Sequence, residues 1–82
     1  MNKEDQVEVV LDRLKKNGMR ITKQRKLLVD VILSDEYTCP KSIYYEAVKR
    51  DSTIGIATAY RMVNALEDIG VISRKNMYKI NL

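Results

Sequence analysis

The sequence predicts a mainly α domain, about four helices closed by a small antiparallel β-hairpin, and three observations predict it. Apolar residues recur at three- and four-residue spacing in four successive stretches, the mark of amphipathic helices. Turn residues separate the stretches: Asn17-Gly18, Pro40, Gly55 and Gly70. Beyond Gly70 the period changes to two, with Tyr78, Ile80 and Leu82 on one face and Lys79 and Asn81 on the other. Eighty-two residues are enough for one domain with one small core, residues 1–82 as a unit.

Each element has a local reason. Val7, Val10, Leu11 and Leu14 make the apolar side of a first helix that ends at Asn17-Gly18. Thr22 is placed to cap a second helix running through Leu28, Val31 and Ile32 to about Ser34. Pro40 suits the first position of a third helix, with Cys39 or Thr38 as its cap. Ile43, Tyr44, Ala47 and Val48 form its buried side, Tyr45 faces outward, and the helix ends near Arg50-Asp51. After the linker Ser52-Thr53-Ile54, Gly55 caps the fourth helix. On that helix Ile56, Ala59, Met62, Val63, Leu66 and Ile69 fall on one side, and Gly70 stops it. Val71 to Arg74 and Met77 to Leu82 read as two strands joined near Lys75-Asn76. Two helices joined by a short turn and followed by a hairpin make a winged helix-turn-helix.

The polar face of the fourth helix carries the functional signal. Ala57, Arg61 and Asn64 share its centre, with Thr58 and Tyr60 on the flanks. Small residues beside an arginine, an amide and a tyrosine make a surface that can approach a base edge closely and hydrogen-bond it. Glu67 and Asp68 come only in the last turn, so the acidic end stays out of a groove that the other end enters.

Charge placement agrees. The chain carries 15 Lys and Arg against 11 Asp and Glu, a net +4. Met1 to Asp12 hold one Lys against Glu4, Asp5, Glu8 and Asp12, a net −3. The next fourteen residues hold Arg13, Lys15, Lys16, Arg20, Lys23, Arg25 and Lys26 with no acid, a net +7. Cations in the first turns of the second helix oppose its dipole, so helix stability does not explain them. A bound polyanion, met by Lys23, Arg25 and the free N–H groups after Thr22, does. Smaller basic blocks sit at Lys49, Arg50 and Arg61 and at Arg74, Lys75 and Lys79, which suggests one patterned surface for nucleic acid.

Other chemistries find little support. The chain has no histidine and a single cysteine, Cys39, which reads as a small cap residue rather than a redox sensor. No nucleophile–base pair, phosphate-cradling glycine loop or paired carboxylate is present, so an enzyme is not expected, and neither is a metal or other cofactor. No apolar run reaches membrane-spanning length and no signal peptide opens the chain, so a cytoplasmic protein is expected.

Three motifs resemble the DNA-binding half of the ferric uptake regulator (Fur) family of bacterial transcription factors. Gly18-Met19-Arg20-Ile21-Thr22-Lys23-Gln24-Arg25 is similar to that family's entry to the second helix. Ile56-Ala57-Thr58-Ala59-Tyr60-Arg61, continued by Asn64 to Gly70, is similar to its recognition helix, and Ile43-Tyr44 matches a Leu-Tyr pair in its third helix. The resemblance implies a DNA-binding transcriptional regulator, acting as a dimer on AT-rich, roughly palindromic operators. Tyr60 and Arg61 would meet bases in the major groove, Tyr60 through thymine methyl groups, and Arg20 would enter the minor groove. Thr58, Arg25 and the wing, with Lys75 at its turn, would bind phosphates.

The departures are equally definite. Family members continue into a dimerisation domain that holds metal ions, and the match here ends with the wing, so that domain and its metal sensing are expected to be absent from this chain. Gly55 stands where a Ser or Thr cap is usual, and the wing turn is short. The alternative is a winged-helix module that binds protein, pairing with itself or with a full-length regulator subunit. Such a module would expose more apolar area on the fourth helix than this sequence provides.

Overall fold

The computed structural model describes residues 2–34, 39–73 and 79–80. Four helices precede a two-stranded sheet: α1 (Lys3–Lys16), α2 (Lys23–Ser34), α3 (Pro40–Arg50), α4 (Ile56–Asp68), β1 (Ile72–Ser73) and β2 (Lys79–Ile80). The strands pair antiparallel, Ile72 opposite Ile80 and Ser73 opposite Lys79. The fold is a winged helix-turn-helix. The rest of the two expected strands from Arg74 onward, and the expected turn at Lys75-Asn76, lie outside the described residues.

The helix boundaries follow from capping chemistry. Asn2 Oδ1 accepts the Asp5 amide at 2.9 Å to open α1, and Thr22 Oγ1 accepts the Arg25 amide at 3.2 Å to open α2. Cys39 is the cap residue of α3, its Sγ 3.3 Å from Ser42 Oγ, and Pro40 occupies the first turn. α1 and α4 end in the same way. After α1, the Gly18 amide donates to the Lys15 carbonyl and Met19 to Leu14. After α4, the Gly70 amide donates to Glu67 and Val71 to Leu66. Both glycines stand at positive φ, 87° and 79°, which this pair of closing bonds requires.

α2 is the hub. It packs against α1, α3 and α4, and so it buries Leu28, Val29, Val31, Ile32 and Leu33 around most of its circumference. α1 adds Val7, Val10, Leu11 and Leu14, α3 adds Ile43 and Ala47, and α4 adds Ala59, Met62, Val63 and Leu66. Val71 and Ile72 close the core beneath the sheet. One polar junction crosses the helices. Asp30 on α2 pairs with Lys3 Nζ at 3.2 Å and with the Arg50 guanidinium, joining the start of α1 to the end of α3.

Three positions differ from the periodicity. Ile56, placed by its spacing in the buried stripe of α4, is 43% exposed. It opens the helix beyond the edge of the core, and Ile54, two residues earlier and 2% exposed, takes the buried position at that end. Tyr44 and Val48 are only partly buried, with Tyr44 packed against the rim of the core. Tyr45 faces outward as expected, its ring 5.6 Å from that of Tyr44.

Candidate nucleic-acid interface

α4 turns Ala59, Met62, Val63 and Leu66 inward, and the spacing of those four dictates what faces out. Ala57, Tyr60, Arg61 and Asn64 are exposed and Thr58 is half-buried, as the helix pattern required. Gly55 caps the helix through its backbone alone: its carbonyl accepts the Thr58 and Ala59 amides at 3.1 and 3.3 Å. No cap side chain therefore covers the first-turn N–H groups, and that end keeps its positive potential.

A polar relay brings the start of α2 to the turn that enters α4. Gln24 Nε2 donates to Thr53 Oγ1 at 3.1 Å. The Thr53 amide donates to Asp51 Oδ1 at 2.9 Å, and the Thr53 hydroxyl donates to the same oxygen. These bonds from Thr53 hold the Asp51 carboxyl below its usual range. Desolvation opposes the shift, and the Lys23 ammonium adds to it. Lys23 at the first position of α2 thus lies near the turn that leads to Gly55 and α4. An Asx-type turn is readable from Asp51-Ser52-Thr53. Gln24, twenty-nine residues from its partner, carries no such signal.

The connection from α1 to α2 is also braced. Arg25, half-buried, donates from its guanidinium to the Arg20 carbonyl across the turn, while the Arg20 side chain is exposed. Arg25 therefore spends a donor on the backbone that carries Arg20, a role that the sequence did not suggest.

The seven cations between Arg13 and Lys26 do not form one surface. Lys16 pairs with Asp12 at 2.9 Å, and Lys26 lines a groove of about 420 Å³ between α1 and α2 beside Glu4, Asp5 and Glu8. Arg20, Lys23, Arg25 and Arg61 have no carboxylate within 4 Å among the described residues. Cations with no carboxylate in direct contact are available to an external anion, although Asp51 acts on Lys23 at longer range. Lys75 lies outside the described residues. Among the described residues no group of three or more Cys, Asp and Glu side chains stands close enough to hold a metal ion, and no helix is long and apolar enough to cross a membrane.

Comparison with known proteins places this geometry. The model of the ferric uptake regulator family matches residues 16–81. The ferric uptake regulation protein of Campylobacter upsaliensis is 37% identical over 73 residues, covering 80% of this chain and 47% of that protein. That of Rhizobium leguminosarum bv. viciae is 38% identical over 58 residues, 70% of this chain and 41% of the relative. The chain thus spans about half the length of the relatives it matches. A solved manganese uptake regulator superposes with a TM-score of 0.73 at 29% identity, covering 89% of this chain and 59% of its own. By the match of the family model and the shared fold, the chain belongs to the ferric uptake regulator family.

Proposed function

We propose that this chain is the sequence-specific DNA-binding module of a transcriptional regulator and lays α4 in the major groove of an AT-rich operator. The observation that carries this reading is the outward face of α4, where Ala57, Tyr60, Arg61 and Asn64 stand exposed, together with Lys23 and Arg25 at the start of α2, which have no carboxylate within 4 Å among the described residues. Arg61 offers a bidentate donor to a guanine edge, Asn64 an amide to adenine, and Tyr60 an apolar ring edge to thymine methyl groups. Ala57 lets the helix approach closely. Thr22, Lys23, Arg25 and Thr58 hold phosphates around the groove, Lys75 does so from the wing, and Arg20 enters the adjacent minor groove. Most of the affinity then comes from phosphate neutralisation and most of the specificity from α4.

The module works by binding and not by catalysis, in the cytoplasm, and two copies occupy the halves of an inverted repeat. The names of the relatives, ferric uptake regulation protein and manganese uptake regulator, support a role in transcriptional control. The test is fluorescence anisotropy of a labelled AT-rich inverted repeat and of a scrambled duplex, each titrated with the chain at several salt concentrations. Tighter binding to the repeat, with affinity falling steeply in salt, is the expected result. If neither duplex binds at low salt, the DNA reading fails and a protein-binding module replaces it.

A further inference from the structure

Among the described residues Ile56 is the one large aliphatic side chain that stands exposed, at 43%. A single exposed aliphatic is ordinary on a protein surface, so its position has to carry the argument. Ile56 is the first residue of α4, one helical turn before Tyr60, which is itself 39% exposed. Residues four apart are neighbours on a helix surface, and Ala57 next to Ile56 is exposed as well. The leading turn of α4 therefore presents apolar surface, while Arg61 and Asn64 supply the polar groups behind it. Ile56 lies outside the buried core, where Ile54 already serves that end, and isoleucine is not a strong helix former.

Resting on the DNA reading above, we propose that Ile56 is a specificity-determining residue that packs on a thymine methyl group in the major groove, beside the base that Tyr60 contacts. The C5-methyl of thymine is the one apolar group on the major-groove edges of the four bases. A cytosine in its place presents an amino donor, which the Ile56 side chain cannot satisfy. The surrounding charge favours a duplex over an apolar protein partner, because Arg61 on the same helix, and Lys23 near the turn before it, have no carboxylate within 4 Å among the described residues. Ile56 and Tyr60 then read methyl groups, and Arg61 and Asn64 read hydrogen-bond patterns.

The experiment isolates the methyl group. A random duplex library is selected against the full chain, and each thymine of the enriched duplex is replaced singly by deoxyuridine, which removes one methyl and leaves the pairing unchanged. Burying a methyl contributes about fourfold in affinity. Wild-type chain should lose about fourfold at one or more thymines in each half-site. At one of these positions Ile56→Ala should bind the thymine and uracil duplexes equally, Ile56→Val should fall between, and the salt dependence should be unchanged. The melting temperature of Ile56→Ala should match wild type, since no core contact is lost. If Ile56→Ala keeps every thymine preference, the inference is overturned while the DNA reading stands; if wild type has none, the inference is overturned together with the methyl contact assigned to Tyr60. If no duplex is enriched, sequence-specific DNA reading fails, and this inference falls with it.

Discussion

Neutralising Asp30 as Asp30→Asn should lower the melting temperature at neutral pH and have almost no effect in strong acid. The carboxylate is a third exposed and faces Lys3 and Arg50, both nearly half exposed. Desolvation raises its pKa, and the hydrogen bonds and charges of Arg50 and Lys3 outweigh that, so the folded-state value lies below the usual 3.8. Pairs this open to solvent contribute ~0.2–1 kcal/mol each after screening, so the two together contribute about 1 kcal/mol. For a domain of this size that corresponds to a fall of ~4–8 °C. A carboxylate with a lowered folded-state pKa stabilises the fold above its unfolded pKa and loses that contribution as pH falls through the folded value. The gap between wild type and Asp30→Asn should therefore be constant from about pH 7 to about pH 5 and close towards about pH 2. High salt should narrow it at neutral pH. Thermal melts followed by circular dichroism across this range measure the effect. A gap that is absent at neutral pH, or one that persists unchanged in acid, refutes the assignment of charge-based stabilisation to this junction.

Further expectations concern the core and the candidate interface. Leu28→Ala, at a fully buried position on the helix that packs against the other three, should cost ~2–5 kcal/mol, read from urea unfolding at constant slope. Arg61→Ala should cost ~1–3 kcal/mol on a selected duplex and little on a scrambled one. An equal loss on both would remove Arg61 from base readout. Lys23→Ala should weaken both duplexes alike and reduce the slope of log affinity against log salt by about 1. Thr53→Val removes the hydroxyl that serves both Gln24 and Asp51, and NMR titration should find the Asp51 carboxyl moved up towards its usual 3.8.

Most of the fold was legible because its signals are local. The caps at Thr22 and Gly55, Pro40 in the first turn of α3 and the stops at Gly18 and Gly70 each act within a few residues, and helical spacing sorted α4 into its two faces. Ile56 went wrong for a physical reason. Periodicity assigns a side of a helix but cannot say where along its axis the core ends, and Ile54 in the preceding turn had already taken the buried place. The exposure of Ala57, Tyr60, Arg61 and Asn64 on α4 was legible from helical spacing, and the arrangement around them much less so. Gln24 meets Thr53 only because α2 crosses the turn before α4, and the Arg25 bond to the Arg20 carbonyl depends on how the chain turns after Gly18. The run of seven cations looked uniform in sequence, yet the helical twist sends Lys16 to Asp12 and Lys26 to the acidic side of α1.

The remaining cations pose an energetic contrast within the one molecule. α1 is charged as its dipole favours, with Glu4 and Asp5 in its first turn and Arg13, Lys15 and Lys16 in its last; α3 likewise ends in Lys49 and Arg50. α2 alone of these three inverts the rule. Its first turns hold Lys23, Arg25 and Lys26 with no acid among them, and Asp51 from the turn between α3 and α4 acts on Lys23 only at a distance. Cations so placed oppose the dipole by ~0.3–1 kcal/mol each. The five buried aliphatics of α2 contribute several times that amount, at ~1.5–3 kcal/mol each, so the helix forms regardless. A core this dominant allows the surface charge to serve another purpose. The unfavourable potential at the start of α2 is relieved when an anion arrives, and the relay through Gln24 and Thr53 fixes that potential beside the entry to α4. On the proposed reading, phosphate binding at α2 and base reading at α4 would be held in register by the packing of the helices, without any need for a moving part.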